Sequence, residues 1–249
     1  MNASILKVIG MIAMILDHVG WVFFPDIEIF HIIGKLAIPI FCYMIAEGYY
    51  RTHNVKGYFA RLLGLAVISQ VPFLMTFRLC FGQELSGFTT IFDLALGLLT
   101  IWLYDKAKFK GRSIIVIIGA LIGVFAMIDG DYYVVLLIFI FYKHHDSFKK
   151  MALWMGVLTL LNTFAIPMYS MFYAVTHGVS LQLFVQNMRT PEYIAAISNY
   201  TVQIFYLLAL VPIKLYNGEK GKNIKLLFYG FYPVHLIILY VIKVFVVGQ

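Results

Sequence analysis

The chain has 249 residues, 62% of them hydrophobic and 12% charged, with a mean hydropathy of +0.87. A water-soluble domain of this length carries about twice that charged fraction, so a soluble enzyme is excluded, and no polar stretch is long enough to fold alone. The net charge is +7, but the cations sit in short segments between apolar runs, as membrane topology signals do, which argues against nucleic acid as a partner.

Repeated apolar stretches of roughly 20 residues predict an all-α, polytopic helical membrane protein forming one integral-membrane unit over the whole chain. The short alternating segments of a closed β-barrel are not what the pattern gives. Nine transmembrane helices are expected, at about 5–24, 29–50, 57–77, 87–105, 112–128, 131–143, 149–173, 199–215 and 225–247. The first reads as a retained span rather than a cleaved signal peptide. Only Lys7 precedes it in charge, and Phe23-Phe24-Pro25-Asp26-Ile27-Glu28 has no small-residue cleavage site. The sixth is short for a span and implies tilt or local thinning of the bilayer.

The loops alternate in charge. Arg51, Lys56 and Arg61 follow the second helix, Lys106, Lys108, Lys110 and Arg112 the fourth, Lys143, Lys149 and Lys150 the sixth, and Lys214, Lys220, Lys222 and Lys225 the eighth. The opposite loops hold Asp26, Glu28, Glu84, Asp129, Asp131 and Glu192. The positive-inside rule then predicts a cytoplasmic N-terminus and an outer C-terminus. Leu181–Gln186, in the longest connection, is amphipathic enough to lie on the outer interface, and Pro191 ends it. Ala60/Gly64 and Gly119/Gly123 are small-residue pairs at the spacing that permits close helix contact. Cys42 and Cys80 imply neither a disulfide framework nor a metal site.

Asp17 and His18 stand inside the first apolar run. Ionisable groups at membrane depth are costly and usually face a bundle interior or a wet cavity. At a rise of 1.5 Å per residue, His18, Lys35 and Asp93 each lie about 9 Å below the outer end of their helix. This predicts one reaction centre in the outer third, with His18 as general base, its tautomer fixed by Asp17 or Asp93, and Lys35 as an anion partner or oxyanion donor. The bland alternative is a set of charges that fixes helix packing. Gln70, Asn162 and His235 at middle depth are candidates for a polar corridor toward His18, each taken alone being an ordinary interhelical hydrogen bonder. Glu47 and Arg51 are spaced to pair at i, i+4. Arg51, Lys56 and Arg61, with Tyr58, would form a basic inner mouth suited to phosphates. His144-His145 sits in a loop, where a metal role is not expected. There is no Walker A loop, no GxGxxG and no zinc-ligand spacing.

Several segments carry a resemblance. These are Leu6-Lys7-Val8-Ile9, Met14-Ile15-Leu16-Asp17-His18-Val19-Gly20 with Pro25, Ile33-Gly34-Lys35-Leu36-Ala37-Ile38-Pro39-Ile40-Phe41 and Ala46-Glu47-Gly48-Tyr49. Arg51-Thr52-His53-Asn54, Tyr58 with Arg61-Leu62, and Ile68-Ser69-Gln70-Val71-Pro72-Phe73 continue the series. Asp131-Tyr132 with Val135-Leu136-Leu137-Ile138, and Phe228-Tyr229-Gly230-Phe231-Tyr232-Pro233-Val234-His235-Leu236, extend it to the far end. Together they resemble the TraX family, whose conjugative-plasmid members are linked to N-acetylation of pilin. That family is similar to a wider set of membrane acyltransferases that use an early histidine and cytoplasmic acetyl-CoA. The family pattern has Arg where this chain has Lys35, which replaces a fork donor by a point charge.

The resemblance implies a transmembrane acetyltransferase. Acetyl-CoA is the expected donor substrate, and an extracytoplasmic amine or hydroxyl (a peptide terminus, a pilin-like protein or a glycan) the acceptor. His18, Asp17, Asp93 and Lys35 are the expected catalytic residues; Arg51, Tyr58, Arg61, Gln70, Asn162, Tyr232 and His235 the donor-binding ones; no metal is expected. The lipid bilayer is a further partner, and homodimerisation stays open. The alternatives are a proton-coupled transporter or flippase, since buried Asp, His and Lys also suit a proton relay, and a non-catalytic membrane assembly factor.

Overall fold

The computed structural model describes residues 1–81, 87–126 and 131–246. Glu84 and Asp129 of the expected outer loops lie outside the described residues, as do the side chains of Glu192 and Lys225. All the regular structure among the described residues, apart from an isolated bridge at Phe88, is helical. The chain is a helical membrane protein.

Helix α1 runs Ala3–Phe23, its start fixed by the Asn2 side chain accepting from the Ile5 N–H. The second apolar run is broken: α2 is Glu28–Gly34 and α3 is Ala37–Arg51, with Lys35 and Leu36 between them. Then come α4 Val55–Phe81, α5 Thr90–Lys106, α6 Ile114–Phe125, α7 Asp131–Lys143 and α8 Phe148–Thr163. Helices α9 Ala165–Thr176, α10 Leu181–Asn187 and α11 Pro191–Thr201 lead into a 3₁₀ stretch Val202–Ala209 and α12 Leu210–Lys214. The chain closes with α13 Lys225–Val241 and a π turn Ile242–Val246. The segment expected to be amphipathic is α10, capped by the Ser180 side chain, and Pro191 opens the next helix, where its missing N–H costs nothing.

Each of the nine expected segments is helical, but the count of nine spans is corrected. Among the described residues four helices are long and apolar enough to cross a membrane: Ala3–Phe23, Glu28–Arg51, Val55–Phe81 and Leu226–Phe245. A fifth is reached only if Phe148–Thr163 and Pro167–Thr176, bent by 52°, count as one. The reason is length. Ile114–Phe125 has 12 residues and rises about 18 Å, against a hydrocarbon core of about 30 Å.

The core lies where α3, α5 and α7 meet, around the fully buried Ile40, Leu98, Ile101, Val134, Leu137 and Phe141. Gly97 lets α5 close on α7, since a side chain there would run into Ile138. Gly119 and Gly123 act as the sequence pattern implied: a Cβ on the first would meet Thr100, and one on the second the Asp131 backbone at 3.1 Å. Gly64 has nothing within 4 Å, so the Ala60/Gly64 pair is not a close helix contact. Around this core α1 packs on α2, α3 and α13, and α13 packs on α4. That arrangement brings the two ends of the sequence together at the site.

Candidate functional site

A cavity of about 640 Å³ opens between α1, α3, α4 and α13. One end is polar and basic, lined by Lys7, Arg51, Tyr58, Arg61, Lys220 and Lys222. The other is apolar, lined by Met14, Phe41, Leu94, Phe231 and Tyr232. Ser4 and Met14 both line it and are ten residues apart on one helix, so it follows α1 for about 15 Å.

His18 sits just past the apolar end. Its ring contacts Tyr232, with centroids 6.2 Å apart, and Phe77 at 5.3 Å. His18 Nδ1 is 2.7 Å from His235 Nε2, and His235 Nδ1 is 2.9 Å from the Phe231 carbonyl oxygen. A carbonyl only accepts, so in the neutral ring His235 Nδ1–H donates to Phe231 and Nε2 holds the lone pair. His18 Nδ1–H then donates to that lone pair. A neutral His18 is thereby left with its own lone pair on Nε2, the form a general base requires. The partner seen at His18 Nδ1 is thus a second imidazole, where the sequence predicted Asp17 or Asp93. Pro233 removes a main-chain donor from this part of α13, and the Thr76 hydroxyl, on α4, ties it in place by reaching the Leu236 carbonyl at 3.0 Å.

Two of the other expected catalytic residues, Asp17 and Lys35, have different neighbours. Asp17 does not orient His18. Its carboxylate faces His31 Nδ1 at 3.4 Å, because residues one apart on a helix point about 100° apart. His31 Nε2 is 3.3 Å from the Pro25 carbonyl, and Trp21 packs on the imidazole at 4.3 Å. This group fastens α1 to α2, and Gly34 makes it possible, since a Cβ there would collide with the Asp17 side chain. Gly34→Ala is expected to lower stability by about 1–3 kcal/mol, read as a lower thermal midpoint; an unchanged midpoint would mean that α2 shifts freely.

Lys35 forms no ion pair with Asp17 or Asp93 within 4 Å and lies over the Tyr206 ring, 5.7 Å from its centroid. Asp93 is fully buried in the first turn of α5, where the helix N-terminus favours a carboxylate, and it is near enough to Cys42 to act on the thiol electrostatically. The corridor of Gln70, Asn162 and His235 is not formed. Gln70 is occupied by the turn before α5, donating to the Gly87 carbonyl at 2.7 Å and accepting from the Thr89 N–H at 3.1 Å. Asn162 accepts from the Tyr132 hydroxyl at 2.5 Å and bonds to Gln203. Only His235 of the three reaches His18.

Of the expected mouth, Arg51, Tyr58 and Arg61 line the cavity, and Lys56 is not among its lining residues. The predicted Glu47–Arg51 pair forms, with Arg51 Nε donating at 2.6 Å. Glu47 also accepts from His145 Nε2 at 2.7 Å and from the Tyr216 hydroxyl at 2.9 Å. Burial, and then the Glu47 bond, push the Tyr216 phenol up to about 12, so it remains a donor. Lys220 and Lys222, which the sequence reading took for topology signals, and Lys7, to which it gave no mouth role, also line this opening. The clue was their chain position, Lys7 at the start of α1 and both others just before α13, at the same end of the bundle.

The model of the TraX protein family matches residues 2–243. A probable fimbrial assembly protein, FimC of serogroup H1, from Dichelobacter nodosus is 27% identical over 263 aligned residues, covering 98% of this chain and 96% of that protein. An uncharacterized protein of Rickettsia prowazekii is 39% identical over 47 residues, 19% of each chain. No solved structure matches. A family match that begins before the first helix and ends beyond His235 takes in every residue of the cavity, and the chain belongs to the TraX family.

Proposed function

We propose that this chain is a membrane acetyltransferase that carries an acetyl group from acetyl-CoA on the cytoplasmic side to an acceptor near the outer face. One observation carries the reading: a single cavity has cations at one end and, at the other, Tyr232 in ring contact with His18 and His235. The charged nucleotide of CoA stays at the wet basic mouth. The thin pantetheine arm follows the apolar stretch, and the thioester arrives beside His18.

The chemistry then needs one proton carrier. His18 Nε2 removes a proton from the acceptor amine or hydroxyl as the acceptor attacks the thioester carbon. The C–S bond breaks, and the imidazolium returns the proton to the departing thiolate. His235 holds the reactive tautomer, and the Tyr232 phenol stabilises the oxyanion. The name of the Dichelobacter relative supports a fimbrial subunit, and thus a peptide amine, as the acceptor class. The cytoplasmic placement of the mouth follows from the positive-inside rule.

The test is transfer from labelled acetyl-CoA to peptide amines by the purified protein, in vesicles with donor on one side only. Transfer with donor at the N-terminal, basic face supports the reading; transfer only with donor at the opposite face ends it. Tyr232→Phe is expected to lower kcat about 100-fold with little change in donor KM. A variant that changes KM alone would make Tyr232 a binding residue.

A second reading is favoured by the break at Lys35 and the 52° bend after Thr163. Interrupted helices are how secondary transporters build ion sites. Proton-coupled uptake into vesicles without any acetyl donor would favour that reading.

A further inference from the structure

The segment 215–224, between α12 and α13, crosses the rim of the cavity as a strap. Gly218 and Gly221 take left-handed conformations, at φ 79° and 68°. Arg51 Nη2 donates to the Gly218 carbonyl at 2.5 Å, and the Ala3 N–H donates to the Glu219 carbonyl at 2.8 Å. The Ser4 hydroxyl reaches the carbonyls of Lys220 at 3.3 Å and Lys222 at 2.5 Å. The main chain of both lysines is therefore tied to α1, and both residues line the opening.

Arg61, on α4, lines the same opening. Among the described residues no carboxylate forms an ion pair with Arg61, Lys220 or Lys222. The one carboxylate of the lining, Glu47, is already engaged by Arg51, His145 and Tyr216. Topology alone would accept lysines anywhere on this face. It does not require a strap tied so that two of them meet an arginine around one hole.

A pantetheine held on a carrier protein brings a single phosphodiester charge. The diphosphate of CoA brings two, and its ribose 3′-phosphate adds about two more. We propose that Lys220 and Lys222 bind the 3′-phosphate of CoA and Arg61 the diphosphate, so the donor is a free CoA thioester read at its nucleotide end. This rests on the donor site proposed above and adds to it a division of labour between strap and helix.

The experiment is equilibrium binding to the full chain in lipid nanodiscs, with CoA and with dephospho-CoA, which lacks only the 3′-phosphate. The unmodified protein should bind CoA about tenfold more tightly. Lys220→Gln with Lys222→Gln should weaken CoA to the dephospho-CoA level and leave dephospho-CoA unchanged; the Ser4 bonds survive because they go to main-chain carbonyls. Arg61→Gln should weaken both ligands by a similar factor. Equal affinity of the unmodified protein for the two ligands, or equal weakening of both by the strap variant, overturns the inference and leaves the donor site standing. No binding of either ligand to the unmodified protein removes the donor site and the inference with it.

Discussion

The His18→Ala variant should lose acetyl transfer by about three orders of magnitude, within the range for removing a general base. Its CoA affinity should stay near that of the unmodified protein, because Ser4 at the mouth and His18 are 14 residues, or about 21 Å, apart along α1. The partner imidazole makes a second, graded outcome. His235→Leu removes the acceptor for His18 Nδ1–H and lets the ring take the wrong tautomer, so kcat should fall about 100-fold. His235→Gln keeps an oxygen that can accept that hydrogen and should recover part of the loss. Turnover retained by His18→Ala would move the base elsewhere. Equal rates for His235→Leu and the unmodified protein would leave His235 a packing residue.

Glu47→Ala should have the largest effect on stability, about 3 kcal/mol. The carboxylate is 3% exposed and accepts from three different segments: Arg51 at 2.6 Å, His145 at 2.7 Å and Tyr216 at 2.9 Å. Its loss leaves the less exposed His145 and Tyr216 donors without their acceptor and frees Arg51, at the place where α3, the loop after α7 and the strap join. Arg51→Ala should cost less, about 1 kcal/mol or under, because its side chain is half exposed and the other two bonds to Glu47 persist. The loss of activity on heating in nanodiscs reads both. Similar inactivation temperatures for Glu47→Ala and Arg51→Ala would mean that the carboxylate is an ordinary surface pair.

Much of this was legible from the residues. Hydropathy marked the long helical segments, though it missed most of α11, and the i, i+4 spacing gave Glu47–Arg51. The basic group of Arg51, Tyr58 and Arg61 was visible because charge at a helix end is a local signal. What sequence spacing did not give was direction around a helix. Depth put Asp17 level with His18, yet the two point to different neighbours. Depth likewise put Lys35 level with His18, while Lys35 lies over Tyr206. The helix count failed for another reason. Mean hydropathy does not record that Ile114–Phe125 is too short to cross a bilayer or that the second run breaks at Lys35. His235 was placed at middle depth, below His18, and given a donor-binding part, because nothing local says which helix will stand beside α1.

The two imidazoles are 217 positions apart in the chain. During synthesis, at about 5–20 residues per second, the second is added roughly 10–40 seconds after the first. For that interval α1 sits in the bilayer with His18 lacking its partner, and with neither the strap nor Tyr232 to enclose a thioester. The reaction centre is therefore among the last parts of the molecule to exist. On the function proposed above, a chain that stalls before α13 would have its general base but no means of aiming it, so incomplete copies would stay silent rather than hydrolyse the cell's activated acetyl groups.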